Sequence, residues 1–517
     1  MRISRGELEL FVHEEDAADA TRLVYQLHLV SVEGNQYRIT GYKTIDPSAA
    51  WSVSRMWRAT TTVNVRVATD EEGAIGAGVV RVAPSSFVRQ ITSFRLTAEF
   101  SFTTVRALLI FLLYFAAQIS RFFFHPFISH RTRTTATLPY APKRPATCVR
   151  TLKSSDGIEV SIAVYDPTSS PDTAATRCPI LFLPGILGVR PEHSCFALPY
   201  QRCNRIEYFT NRGHRRYILS PRWSCDENVA TECTVFDARL DIAAAVQHIS
   251  LHESPKPYVV AHCQGSVALS MALLDGTLDS TQLLGVSANS VFMNQVFGYW
   301  NSIKAYSPIL IRLYERLDGR YFPIGRSGRK RPFHHALDAL YDFYPIPKRR
   351  DRCRSAACHR TSFSCGLLWN HENLNRQTHD NIDRFFAGTP TRLLEHVTRM
   401  GTHGGCLDNE LHPLITEKNL LRLRGLPIPF ISGADNEVFN PETTLGDYEL
   451  LWRRFGEELY RRFLVEGYGH LDPIVGKAAD ADVYWRVWEH VKWCSKHAVS
   501  EGEGLEQSAN GIEVAGV

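Results

Sequence analysis

The sequence predicts an α/β protein: a mostly parallel sheet covered by helices on both faces, interrupted by a helical cap insertion and preceded by a β-rich domain. From residue 148 onward, short apolar runs alternate with helical periodicity, the pattern of strands joined by crossover helices. Before residue 107 the periodicity is that of strands alone. One interval between apolar runs, 292–427, is far too long for a single crossover and reads as an insertion. A length of 517 residues fits two or three domains rather than one core.

Residues 1–106 form the β-rich part. ELELFVH, RLVYQLHLV, NQYRITGYKTI and TTTVNVRVAT alternate or run β-branched between turn residues. AIGAGVVRVA offers Gly76 and Gly78 at the first spacing of a dinucleotide loop. The third glycine is missing and the run continues as a strand, so that motif is rejected. Residues 107–127 then form an apolar helix. Its run of 11 uninterrupted apolar residues is short of the roughly 20 that cross a bilayer. Extended to Phe124 with a single charge, it reads as an interfacial helix that gives peripheral membrane contact through 107–124. A spanning helix and a buried core helix are the alternatives. RTRTTATLPYAPKRPAT marks a linker at 128–147.

The core begins with CVRTLKSSDGIEVSIAVYDP, a hairpin turning at Asp156-Gly157. Its buried strands are expected in PILFLPG, RYILSP, YVVAHC, LLGVSANSV, IPFISG and RRFLVEG. The first part of the core spans 148–291, the mainly helical insertion 292–427, and the second part 428–495, followed by a disordered tail at 496–517.

The net charge of +4 is small for this length and gives no reason to expect a nucleic-acid partner. The N-terminus MRISRGELELF lacks the apolar core of a signal peptide, so an intracellular chain with its 12 cysteines reduced is expected. Cys353, Cys358 and Cys365, with His359 and His371 nearby, have the chemistry of zinc ligands. They lack paired C-x-x-C knuckles, and no metal is expected.

The chemistry concentrates at AHCQGS, where the apolar run YVV meets a turn of small residues that reopens as a helix. Such a turn presents a nucleophile in a strained conformation, and here the nucleophile is Cys263. Ala261 and Gly265 keep strand and helix from colliding. Free N–H groups and the positive helix end face the sulfur, which favours thiolate. The backbone N–H of Gln264 can serve a developing oxyanion, and LPGIL supplies a second donor in Ile186 N–H, where α/β-hydrolases place their other oxyanion loop. The acid and base should follow in that order. Asp435 stands just past IPFI in SGADNEVFNPE, and His470 just past RRFLV in EGYGHLDPIVG. Glu437 is the rival acid, and Asp472 is expected to fix the loop after His470.

These segments carry a resemblance. Residues from about 148 to 490 resemble the α/β-hydrolase region joined to the C-terminal side of cholesterol oxidase-like glucose–methanol–choline (GMC) oxidoreductases. The carriers are LFLPGIL, AHCQGSVALSMALL, WNHENLNRQTH, ISGADNEVFNPE and VEGYGHLDPIVG. Residues 1 to about 127 are similar to the β-rich segment preceding that region, through GELELFV and YRITGYKTI. The resemblance implies that a cysteine at the elbow is ordinary, supporting Cys263 by position; dienelactone hydrolases are similar in this respect. It also implies a cap facing the pocket, where His371 and His379 fall, although capping or core roles serve those two equally well. No GxGxxG opens a helix, so neither flavin nor oxidase activity carries over. The expectation is a cysteine-nucleophile hydrolase without cofactor, acting on an ester, lactone or thioester of an apolar small molecule.

Overall fold

The computed structural model describes residues 2–14, 20–50, 52–69, 73–83, 85–86, 89, 101–124, 142–168, 177–187, 194–224, 232–306, 309–325, 331–346, 348 and 351–510. Its chain divides into two compact units: residues 1–137 with 342–355, and residues 138–341 with 356–517.

In the first unit β1 (Arg2–His13), β2 (Thr21–Val30), β3 (Gln36–Ile45), β4 (Thr62–Thr69) and β5 (Gly73–Arg81) form an antiparallel sheet in chain order. AIGAGVVRVA lies largely in β5 and continues as a strand. The apolar helix starts five residues earlier than its hydropathy suggested. It spans Phe102–Phe123 because Ser101 caps it, its hydroxyl accepting from Thr104 N. Phe115, Ile119 and Phe123 pack with Leu23, Ile45 and Ala49. Leu109, Ile110, Leu112 and Leu113 are exposed, and the helix is long and apolar enough by length and composition to cross a membrane. Most of the expected linker falls outside the described residues.

The second unit holds an eight-stranded mixed sheet. Its strands are β6 (Cys148–Lys153), β7 (Glu159–Tyr165), β8 (Ile180–Leu183), β9 (Arg216–Ser220), β10 (Tyr258–His262), β11 (Gly285–Asn289), β14 (Ile428–Gly433) and β15 (Tyr460–Val465). The spatial order is β6-β7-β9-β8-β10-β11-β14-β15. The β6–β7 hairpin and the β7–β9 pair are antiparallel, and every other pair is parallel. Gly157, at φ +88°, makes the hairpin turn. β8, β9, β10, β11 and β14 are buried at every position, as unbroken apolar runs in a doubly covered sheet should be. The chain order reverses around β8, which lies between β9 and β10. Loops leaving the carboxyl ends of β8 and β10 therefore diverge over a crevice, the place where open α/β sheets bind ligands.

The insertion is mainly helical. It includes the helices Tyr299–Ala305, Ile309–Asp318, Pro332–Tyr341, Ala356–Ser364 and Thr391–His403, with a small antiparallel ladder of β12 (Tyr321–Pro323) and β13 (Gly388–Pro390). It does not belong wholly to the core unit, since residues 342–355 group with the first unit. The last helix, Tyr484–Asn510, continues well into the stretch for which a disordered tail was expected. Residues 500–510, SEGEGLEQSAN, offer no apolar face, but their glutamates and glutamine are good helix formers that extend the packed turns before them.

Candidate active site

Cys263 links β10 to the helix Gln264–Asp275 at φ 53°, ψ −132°. A side-chain-bearing residue held there costs on the order of 1–3 kcal/mol, so its surroundings must impose it. Cys263 N donates to Asn289 O at 3.1 Å, while Cys263 O accepts from Ser266 N at 2.9 Å. Gly265 lets the first helical turn lie on the loop after β8; a Cβ there would meet Pro184 O at 2.3 Å. A Cβ on Gly185 would stand 3.0 Å from the Cβ of Cys263 and 3.5 Å from its sulfur, which shows how closely LPGIL approaches the elbow. Trp223 fixes that loop, donating from Nε1 to Gly185 O at 3.2 Å. The backbone N–H groups of Gln264 and Ile186 both act on the thiol, each favouring its ionised form. Cys263, Gln264 and Ile186 are thus brought together.

The expected thiolate is not favoured. Burial pushes the Cys263 thiol far above its ordinary value, and the two N–H bonds only partly oppose it. The helix end does not overcome that burial, and the thiol stays protonated.

His470 follows β15 and lines the same cavity as Cys263. Its carbonyl is clamped by Ser290 Oγ at 2.9 Å and His262 Nε2 at 3.1 Å, both donating. The imidazole packs between the rings of His262 and Phe439, with centroids 4.8 and 5.9 Å away. Burial drives its pKa well below the ordinary histidine value, so it is neutral. Neither ring nitrogen makes a hydrogen bond. The hydrogen-bonded relay expected from Cys263 through His470 to Asp435 is therefore not formed. Asp435 Oδ2 instead accepts from Asn370 Nδ2 at 3.0 Å. Its backbone does adjoin the histidine loop, Asp435 N donating to Tyr468 O at 2.9 Å. Glu437 makes no hydrogen bond to His470 either. Asp472 fixes the loop, accepting from Gly469 N at 2.7 Å and Asn370 N at 3.0 Å.

The cavity has a volume of about 180 Å³, and Cys263, Gln264, His470 and Ile186 all line it. Phe322, Phe363 and Leu394 from the insertion line it together with Leu187 and Phe439. Three contributors were not singled out in the sequence. His262 donates through Nε2, which leaves Nδ1 as an acceptor without a partner; its place directly before the nucleophile was the available signal. Asn370 ties the insertion to both carboxylate loops. Lys304 lines the cavity and donates to the carbonyls of Ser362 and Phe363 at 3.2 and 2.9 Å. Burial lowers its pKa to about 8.

No protein-family model and no curated protein matches the chain. Solved structures similar to it include a soluble variant of monoglyceride lipase from Saccharomyces cerevisiae in complex with a substrate analogue, at 11% identity. That match covers 69% of this chain and 97% of the lipase, with a TM-score of 0.44. A thermophilic esterase from Thermogutta terrifontis is 12% identical over 68% of this chain and 100% of its own, with a TM-score of 0.38. A monoacylglycerol lipase from Paleococcus ferrophilus is 13% identical over 66% of this chain and 100% of its own, with a TM-score of 0.36. The expected kinship with GMC oxidoreductases finds no support among them.

Proposed function

We propose that the second unit is a cysteine-nucleophile hydrolase that cleaves an ester, lactone or thioester of an apolar small molecule. The observation that carries this is Cys263, held in a strained turn on the wall of a largely apolar cavity, where the backbone N–H groups of Gln264 and Ile186 favour charge on its sulfur. His470 takes the thiol proton as sulfur attacks the carbonyl carbon, and the two N–H groups receive the oxyanion. The leaving alkoxide or thiolate takes that proton from His470. Water, activated by the same imidazole, then releases the acyl group from sulfur; an alcohol in its place gives acyl transfer. Asp435 orients His470 once substrate draws the imidazole towards sulfur and the carboxylate away from Asn370. Catalytic hydrogen bonds commonly tighten only in the substrate complex. No cofactor enters this chemistry.

The apolar lining supports a lipid-like, steroid or polyketide-like substrate, with the insertion as its cap. The exposed face of Phe102–Phe123 supports peripheral membrane contact. A second reading is a hydrolase-shaped accessory module without turnover, as beside a GMC-type sterol oxidoreductase. The unbonded His470 and the protonated thiol favour it. Turnover of an acyl-chain series by wild type, Cys263→Ala and His470→Ala, with intact-protein mass spectrometry, separates the two. The hydrolase requires an acyl adduct on Cys263, no turnover in the Cys263→Ala variant, and a loss of about 100- to 10,000-fold in His470→Ala. Absence of any adduct and of turnover across the series selects the accessory module.

A further inference from the structure

Away from the cavity, the insertion gathers three ligating side chains from separate short elements. Cys358 lies in the first turn of Ala356–Ser364, His371 begins the 3-10 turn His371–Asn373, and His379 lies in Arg376–Asp380. All three are at least 94% buried. Their donor atoms lie within 4.8 Å of one another, and Cys358 Sγ stands 3.4 Å from His379 Nε2. The two imidazole centroids are 5.0 Å apart. A tetrahedral zinc ion, with bonds of about 2.3 Å to sulfur and about 2.0–2.1 Å to nitrogen, separates those two donor types by about 3.5 Å. The observed separation matches that edge.

We propose that Cys358, His371 and His379 bind one zinc ion. The three residues read C-x12-H-x7-H, and the first interval is that of Cys₂His₂ zinc sites, while the second is longer. The sequence does not announce the site, because it has no C-x-x-C pair here and because His359 and Cys365 stand nearer to Cys358 in the chain than His379 does. Cys365 lines the substrate cavity, and His359 Nδ1 donates to Tyr341 O at 2.9 Å.

The chemistry suits a buried position. Zinc binding releases the Cys358 thiol proton, and the thiolate offsets half the charge of the ion while two neutral imidazoles add none. These three ligands leave one position of the tetrahedral site open. The site also bears on the active centre, because Leu368 and Asn370 lie between Cys358 and His371 in the chain. Leu368 O accepts from Leu471 N at 2.6 Å, and Asn370 Nδ2 donates to Asp435 Oδ2 at 3.0 Å and Gly467 O at 2.7 Å. The metal would pin the strand of chain that holds the histidine loop.

The test uses the untagged full-length chain, purified without chelator, with zinc measured by inductively coupled plasma mass spectrometry. The proposal requires one zinc per chain. Replacement by cobalt must give thiolate-to-metal charge transfer and the visible bands of tetrahedral coordination. Cys358→Ser and His379→Ala must each lose affinity for added Zn²⁺ by more than tenfold, whereas Cys148→Ser keeps it. Should the ligand variants fail to fold, the wild type still decides. Stripping with a chelator under native conditions must lower its melting temperature, and one equivalent of Zn²⁺ must restore it. Wild-type protein without stoichiometric zinc or a cobalt–thiolate band overturns the site, as does full retention of zinc in Cys358→Ser.

Discussion

At Cys263 two influences on one sulfur act in opposite directions, and their balance determines its reactivity. The helix N-terminus and the N–H groups of Gln264 and Ile186 favour negative charge, while burial raises the pKa of the thiol by more than they lower it. The nucleophile therefore rests as a thiol and needs its proton removed within the transition state. Alkylation by iodoacetamide, which consumes thiolate, should be slower at Cys263 than at the half-exposed Cys148, reversing the order that the elbow motif alone suggests. Peptide mapping after limited labelling at pH 7 reads this directly, and preferential labelling of Cys263 would mean that the sulfur is ionised. An active-site-directed thioester or activated ester should still modify it, because binding supplies the base. Leaving groups matter for the same reason. A tetrahedral intermediate on sulfur expels the better leaving group, so a substrate thiolate competes with Cys263 where an alkoxide returns the starting ester. A thioester should be cleaved at least ~10-fold faster than the matching alkyl ester, a comparison of kcat/KM that equal rates would refute. The neutral His470 adds a pH signature. Its basic form persists well below pH 6.5, so the acid limb of kcat/KM should lie below that of an ordinary histidine.

Elements place these residues by close backbone approach, which makes glycine positions the sensitive ones. Gly265→Ala would push its Cβ to within 2.3 Å of Pro184 O and 3.0 Å of Leu183 O, both backbone atoms with little freedom to retreat. The variant should lose about 2–3 kcal/mol of stability and move Ile186 N–H off the oxyanion position, lowering kcat by roughly 100-fold. Denaturant melts and initial rates test the two effects, and an unchanged kcat would show that the loop after β8 does not serve the reaction. This part of the site was legible in the sequence because strand, small-residue turn and helix are contiguous: PILFLPG, YVVAHCQG, IPFISG and RRFLVEG each announce a strand end. What contiguity does not encode is the meeting of distant side chains. Asn370 gave no signal in WNHENLNRQTH, yet it occupies the carboxylate expected to orient His470. The charge balance at Cys263 escaped for the same reason, since helix dipole and N–H donors are local but burial depends on the whole fold. In the first unit, the apolar helix was legible from hydropathy, but its true start at Phe102 depended on a serine cap outside the apolar run.

Across the second unit, buried histidines link stability to pH, and their sign follows from the direction of each shift. Burial lowers His214 and His262 to about 4 and His490 to about 3, and drives His470 well below 6.5. Between pH ~6.5 and ~4 the unfolded chain takes up protons at these positions that the folded chain refuses, so stability falls as pH falls through that window. Asp447 acts oppositely. Burial raises it to about 7, so the folded chain holds a proton there that the unfolded chain, near 3.9, releases. By pH 5 His214, His262 and His490 each cost about 2 kcal/mol relative to pH 7, and Asp447 offsets about one of the three, leaving a net loss on the order of 4 kcal/mol. That is a large fraction of the stability of a typical domain. Thermal melts should show the melting temperature falling on the order of 10 °C from pH 7 to pH 5. His490 lies far from the cavity, its Nδ1 2.8 Å from the hydroxyl of Tyr258. Replacing it by glutamine, which takes up no proton, should flatten the slope by about half while leaving kcat at pH 7 unchanged. A melting temperature that holds or rises towards pH 5 would mean that these histidines accept protons in the folded chain. The neutral state argued for His470 would then fail with them, since the same burial underlies all four shifts.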